Sequence, residues 1–253
     1  MQNSAPQGSP PPETNLNKDI ANQQKINVKN HTGKVFDVSQ LLQNPLSYQA
    51  DSKNYKVLLV HTHTTECYFP NDRSDNPEEN MIAVGKEFQK VLEANQIPTL
   101  HITTVHDVPY TTSYKKSLES VTKALQEYPS IEVVIDLHRD AIYGASGEKV
   151  RPIANINGTD CAQVMLVCGT DEGGLPHPDW KENLSFALKI QSKMQENHPN
   201  LARPLDLRKE RFNTHTTKKS VIFEIGSHGN TLEEAISGAK LAAQSVADVL
   251  NHR

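Results

Sequence analysis

The sequence predicts an α/β domain built on a mostly parallel central sheet with helices on both faces. Three observations predict it. Short runs of branched apolar residues alternate strictly with stretches whose apolar residues recur at helical spacing, the pattern of strands joined by crossover helices. The patterned part of the chain spans about 200 residues, enough for one such domain with a sizeable core. Apolar runs such as Val57-Leu58-Leu59-Val60 fall far short of the roughly 20 residues a membrane helix needs.

The elements follow in order. Val35, Phe36, Val38, Leu41 and Leu42 suit a short arm with one helical turn laid on the body. Lys56 to Val60 is a buried strand, followed by a polar loop from Thr62 to Pro77. Val84, Phe88, Val91 and Leu92 repeat at i, i+4, i+7 and i+8, the stripe of an amphipathic helix that ends before Pro98. Leu100 to Val105 reads as a second strand, and Tyr114, Leu118, Val121 and Leu125 as a second helix stopped at Pro129. Ile131 to Leu137 is the most apolar strand; Gln163 to Cys168 and Val221 to Ile225 are further strands. Helices are expected at about 179–197 and at Thr231 to Leu250, and no internal repeat is visible.

Composition narrows the function. Twenty-six basic against thirty acidic residues, a formal charge of −4, leave no surplus for counterion-driven binding, so nucleic acid is not an expected partner. Three cysteines, Cys67, Cys161 and Cys168, allow at most one bridge and no CxxC zinc site. The chain does not begin with the basic and apolar regions of a signal peptide. Residues 1–33 hold Pro6, Pro10, Pro11 and Pro12 among Gln, Asn, Ser and Lys without an aromatic residue. Such a segment buries too little apolar surface to offset its ordering entropy and reads as a linker or tether. The domain is then 34–253, with 34–54 as its arm.

Three strand ends carry acid-base or metal-ligating side chains, where α/β sheets bind ligands. His61-Thr62-His63-Thr64-Thr65-Glu66 follows the first strand. His63 and Glu66, three residues apart, can converge within one turn of chain, although a solvated polar loop has the same spacing. Asp136-Leu137-His138-Arg139-Asp140 ends the most apolar strand; its His138 either completes a metal site or bonds to Asp136 or Asp140. Glu224, within Val221-Ile222-Phe223-Glu224-Ile225, is a carboxylate in an apolar run, which demands a cation, a cavity or a basic partner. Together, His63, Glu66 and His138 make a His2Glu zinc site with an open fourth position, and Glu224 a general base. A zinc ion there lowers the pKa of its water and polarises a carbonyl, the chemistry of amide hydrolysis. His61 is a further candidate ligand if strand alternation continues to His63. Spacing reaches a zinc hydrolase without choosing its substrate.

Six stretches in unbroken order over residues 56 to 250 narrow that choice. They are Leu58 to Glu66, Asn157 to Met165, Gly169-Thr170-Asp171, His177 to Leu184, Arg211-Phe212-Asn213-Thr214-His215 and Gly229 to Ala235. In them the sequence resembles the stage II sporulation protein P family of endospore-forming bacteria. The resemblance implies a zinc-dependent N-acetylmuramoyl-L-alanine amidase fold and activity, with cleavage of stem-peptide cross-links beside it, during engulfment of the forespore. It implies peptidoglycan as substrate and two partners, the lytic transglycosylase stage II sporulation protein D and stage II sporulation protein M. It also implies an extracytoplasmic location at the sporulation septum and engulfing membrane, held by an N-terminal membrane anchor that this sequence does not show, with the Pro-rich leader as spacer. By the same resemblance His63 and His138 are zinc ligands and Glu224 is catalytic; the third ligand is Glu66, inside the resembling block, with Glu78 or Glu79 the alternatives that the broader amidase class suggests, while Arg139, Arg211 and His215 are candidates for contact with the stem peptide and His177 for orienting a ligand. Trp180 reads as a core anchor. The alternatives are a zinc peptidase and a catalytically silent wall-binding scaffold.

Overall fold

A computed structural model describes residues 26–253. Seven strands form one sheet in the order β1-β8-β7-β9-β4-β2-β3. They are β1 (Val28–Asn30), β2 (Val57–Val60), β3 (Thr99–His101), β4 (Val133–Asp140), β7 (Val164–Cys168), β8 (Leu205–Leu207) and β9 (Lys219–Ser227). Five of the six neighbouring pairs are parallel, and only β7 against β9 is antiparallel. The sheet is thus mostly parallel, with the β1, β8 and β7 block running opposite to the rest.

Alternation along the strands sorts side chains onto two faces. Val57 and Leu59 of β2, Ile135 and Leu137 of β4, and Val221, Phe223 and Ile225 of β9 join the main core. That core is closed by α2 (Met81–Ala94), α4 (Trp180–Asn197) and α5 (Leu232–Leu250). The opposite face, with Leu58, Val60 and Val134, receives α3 (Ser113–Glu127) through Val121 and Ala124. Beyond α3 on this second face, Met165, Val167 and Ile222 form a small apolar patch with Phe212 packed against it. One helix on a wide sheet leaves room beside it for a site.

Helix ends follow local chemistry. Thr231 and Glu234 form a reciprocal capping box at the start of α5, and the Asn80 side chain accepts from Ile82 N at the start of α2. The expected arm is α1 (Val38–Gln43), capped by Asp37. Trp180 is buried in the main core with Phe36 edge-on at 6.4 Å, the anchor its sequence context suggested.

The structure differs from the sequence reading in four places. Val28–Asn30, inside the stretch read as linker, pairs with β8 as an edge strand; residues 1–25 of that linker lie outside the described residues. The hairpin β5 (Ile153–Ile156) and β6 (Thr159–Ala162) was not anticipated, although Asn157-Gly158 is its turn, with φ of 53° and 84°, the left-handed pair that a type I′ turn requires. Strand β8 also lacks a legible pattern, because Leu205-Asp206-Leu207 is too short to show a period. The strand expected over 100–105 stops at His101. All three cysteines are free and buried.

Candidate active site

The chain leaves β2 at His61 and folds into a tight turn, with Thr64 Oγ1 donating to the His61 carbonyl at 3.0 Å and Glu66 N to the His63 carbonyl at 3.1 Å. The turn places His63 beside Glu66. His138 reaches the same point from β4, and one donor atom from each of His63, Glu66 and His138 lies within 4.8 Å of the others. The β4–β9 register pairs His138 with Glu224, so strand geometry alone sets the Glu224 carboxylate beside the trio.

The surroundings are built to hold these side chains. His138 Nε2 sits 3.0 Å from Asp136 Oδ1, and its Nδ1 lies 3.7 Å from Glu66 Oε2. Asp136 is itself fixed by Thr62, whose N–H donates at 2.9 Å and whose hydroxyl donates at 2.5 Å. This is the carboxylate–histidine pairing that orients a metal-binding imidazole. The two sequence readings of His138, ligand or partner of Asp136, are therefore compatible. His63 is stacked on Tyr110, with centroids 4.4 Å apart and planes 10° from parallel. Arg73 lies over the Tyr110 ring at 4.8 Å and pairs with the buried Asp107 at 2.6 Å. Tyr114 meets His63 edge-on at 5.5 Å.

Electrostatics agree with the geometry. Burial pushes the Glu224 carboxyl up to about 8, against the pull of His138, and burial likewise raises Glu66. Burial pushes His63 down to about 4, with His138 adding to it. Burial alone would lower His138 too, but Asp136, Glu66 and Glu224 together bring it up to about 10. The carboxylates around His138 thus favour positive charge at this point. Among the described residues, His63 Nδ1 and Glu224 Oε2 are buried without a hydrogen-bond partner, and His138 Nε2 meets Asp136 at ion-pair distance without hydrogen-bond angles, a costly arrangement unless another group binds there. The donor atoms of these three residues lie close enough together for all of them to share one ion. Two imidazoles and a carboxylate, an orphaned imidazole nitrogen and a raised carboxyl all fit such an ion.

Other predicted residues lie elsewhere. His61 is on the α2 side with Leu59, its Nε2 2.7 Å from His101 Nε2. The turn after His61 breaks the alternation that would have aligned it with His63. Gly85 makes room for this pair, since a Cβ there would sit 2.5 Å from His101 Nε2. Glu78 pairs with Lys86, and Glu79 accepts from Ser74 and Asn76 at 2.8 and 2.9 Å; both are exposed ahead of α2. The Arg139 guanidinium is buried and donates to the carbonyls of Cys67 and Asp72 at 3.0 and 2.8 Å, while its backbone N–H donates to Glu66 Oε2 at 3.3 Å. It buttresses Glu66. Arg211 donates to the Pro176 carbonyl at 3.2 Å and keeps a buried Nε without a partner among the described residues. His215 lies 6.5 Å from His177, ring to ring. His177 bonds Thr214 Oγ1 at 3.1 Å, not a ligand of the trio. Sequence reasoning missed Asp107, Arg73, Tyr110 and Tyr114 as supports. Only the i, i+4 spacing of Tyr110 and Tyr114 hinted that two aromatics approach one point.

Comparison with known proteins gives the following. The sequence model of the family described as stage II sporulation protein P (SpoIIP) matches residues 2–247. The stage II sporulation protein P of Bacillus subtilis (strain 168) is 27% identical over 206 residues, 74% of this chain and 49% of that protein. The chain thus spans about half the length of the curated relative it matches. Among solved structures, an N-acetylmuramoyl-L-alanine amidase from Clostridium difficile 630 aligns over 79% of this chain and 96% of that one at 13% identity, with a TM-score of 0.49. The apo form of the N-acetylmuramyl-L-alanine amidase Ami1 from Mycobacterium abscessus aligns over 79% and 98% at 10% identity, with a TM-score of 0.47.

Proposed function

The chain belongs to the stage II sporulation protein P family, and from that premise we propose that it is a peptidoglycan hydrolase of sporulation, a zinc-dependent N-acetylmuramoyl-L-alanine amidase. The observation that carries the reading is the convergence of His63, Glu66 and His138 beside Glu224. His63, Glu66 and His138 would hold the zinc ion, which would supply Lewis-acid polarisation of the amide carbonyl and a lowered pKa for water. Glu224 is the general base. Its Oε2 takes a proton from the attacking water and returns it to the amide nitrogen, so that the lactyl carboxylate and the free amine of L-alanine part. A carboxyl pushed up to about 8 is poised near neutrality, where one group can both accept and donate; a cation beside it draws that value down. Asp136 orients His138, Tyr110 keeps the His63 ring in plane, and Arg139 steadies Glu66. Zinc, cleavage of stem-peptide cross-links, action at engulfment, the proteins D and M as partners and an anchored extracytoplasmic location belong to this proposal through the family resemblance. Among the described residues no helix is long and apolar enough to cross a membrane.

The test is mass spectrometry of sacculi digested by the zinc-loaded chain. Intact stem peptides and denuded glycan are expected, and Glu224→Gln should abolish their release. Cross-link cleavage alone would assign a peptidase instead. Sacculus binding without any product would assign a scaffold.

A further inference from the structure

Ser117, Val121 and Ala124 form one stripe of α3, at i, i+4 and i+7, and Val121 and Ala124 pack on the second face of the sheet. Ser117 is the polar member of that stripe and is 1% exposed. A helical serine can satisfy itself on a carbonyl of the preceding turn, and Ser117 Oγ has the Tyr114 carbonyl at 3.2 Å. Its shorter contact leaves the helix, to Thr62 Oγ1 at 2.8 Å. Asn213, in the segment before β9, reaches the same hydroxyl: its Nδ2 donates to Ser117 Oγ at 2.8 Å and to the Tyr114 carbonyl at 2.9 Å.

The direction of these bonds follows from the hydrogens each group owns. Asp136, as a carboxylate, only accepts, and the Thr62 hydroxyl gives its one hydrogen to Asp136 Oδ2 at 2.5 Å. Thr62 Oγ1 is therefore the acceptor in its bond with Ser117. Ser117 in turn gives its one hydrogen to Thr62 and accepts from Asn213, whose amide has a hydrogen for each of its two acceptors. Every donor points the same way, from Asn213 to Ser117, from Ser117 to Thr62 and from Thr62 to Asp136. At the far end Asp136 Oδ1 faces His138 Nε2 at 3.0 Å and takes the Thr62 N–H at 2.9 Å. The near end is pinned as well, since the fully buried Asn183 of α4 donates to the carbonyls of Thr214 and Ser220 at 2.8 and 2.6 Å. Thr62 is fully buried too, so bulk water does not compete for the middle of the chain.

We propose that Asn213 and Ser117 are positioning residues of the metal site: their one-way donor chain fixes the Asp136 carboxylate and, through it, turns the His138 ring so that Nδ1, on the Glu66 side, is left for the ion. This inference rests on the reading of the trio as a zinc site. Outer partners of a metal-binding imidazole set its orientation and its basicity. Here the partner is itself held by two further elements, α3 and the 211–217 segment, so a displacement of either is felt at His138.

Chelator competition for zinc on the full chain, with the unfolding midpoint of the metal-free chain recorded beside it, tests the assignment. Ser117→Ala should weaken zinc about 10-fold, the lower end of the effect of such an outer partner. Ser120→Ala is the control. It removes a hydroxyl from the same helix, one bonded to His106 at 2.9 Å and outside the donor chain, and should leave zinc affinity unchanged. Asn213→Asp separates direction from charge. A negative charge added near a cation site tightens zinc by attraction alone. The new carboxylate, however, can only accept; it draws the Ser117 hydrogen away from Thr62 and should weaken zinc, again by about 10-fold. Unchanged zinc in Ser117→Ala, tighter or unchanged zinc in Asn213→Asp, or an equal loss in Ser120→Ala overturns the chain. Should Asn213→Asp fail to fold, Ser117→Ala against Ser120→Ala decides alone. No zinc on the unaltered chain removes the zinc reading and this inference with it; zinc held equally by every variant removes this inference alone.

Discussion

His138 illustrates how one side chain can satisfy two readings at once. In sequence it sits between Asp136 and Asp140, so that a hydrogen-bonded structural histidine and a metal ligand look alike. In the structure one ring nitrogen faces Asp136 and the other faces Glu66, and each reading describes one edge of the ring. Asp136→Asn removes the charge that orients the imidazole and should weaken zinc binding by about 10- to 100-fold, measured by chelator competition; unchanged affinity would show that Asp136 does not set the ring. The Arg73, Tyr110 and His63 stack leads to a second expectation. Tyr110 is 54% exposed, so Tyr110→Ala leaves the core intact and should lower zinc affinity with little change in thermal midpoint, whereas a fall in stability with unaltered affinity would assign the ring to packing alone. Titration at His177 gives a pH effect. Burial pushes it down to about 4, with His215 and Arg211 adding to that, against an unfolded value near 6.5. The unfolded chain therefore binds the proton first, and the contribution of His177 to stability is present above about pH 6.5 and lost as pH falls toward 4. Urea unfolding of metal-free chain should show the stability advantage over His177→Gln shrinking between pH 7 and pH 5, by up to about 1.4 kcal/mol per pH unit; a constant difference would contradict the assignment.

At the scale of elements, the sequence was most readable where a period had room to repeat. Helices α2, α3, α4 and α5 and strands β2, β4, β7 and β9 carry enough apolar positions to reveal their period, and the structure holds them where alternation and helical spacing indicate. Elements of three residues cannot show a period. Strand β8 was missed for that reason, and β1 because Val28-Lys29-Asn30 gains its form from pairing with β8, a tertiary cause invisible in the local pattern. The site divides in the same way. His63, Glu66, His138 and Glu224 were legible because strand ends in α/β sheets are where such chemistry gathers. The place of His61 away from the trio was not, since a single turn redirected it. Packing between elements also makes a prediction. Gly238 of α5 faces the backbone of β6, where an added Cβ would lie 2.2 Å from the Ala162 carbonyl oxygen. Gly238→Ala must therefore push the helix from the hairpin, at a cost of about 1–3 kcal/mol, read as a lowered midpoint in chemical denaturation. An unchanged midpoint would mean that the α5–β6 contact yields freely.

For the whole molecule, the uneven covering of the sheet links fold to function. Three helices seal one face with a continuous apolar core, and the second face carries α3 alone over β2 and β4. That asymmetry sets His138 and Glu224 of two neighbouring strands on the less covered face, where a rigid sheet fixes their separation. The same layout explains why buried polar residues concentrate near the turn after β2: Thr62, His63, Thr64, Thr65 and Glu66 are all buried, bound into a network that leaves little freedom for the trio to drift. The account stands on the trio as a metal site with Glu66 as its carboxylate. Zinc content per chain, measured by plasma mass spectrometry after equilibration with zinc and gel filtration, tests this most directly, with Glu66→Gln and Glu79→Gln alongside the unaltered chain. About one zinc per chain, kept by Glu79→Gln and lost by a correctly folded Glu66→Gln, is the predicted result; no zinc in the unaltered chain, or full zinc in Glu66→Gln, would contradict it.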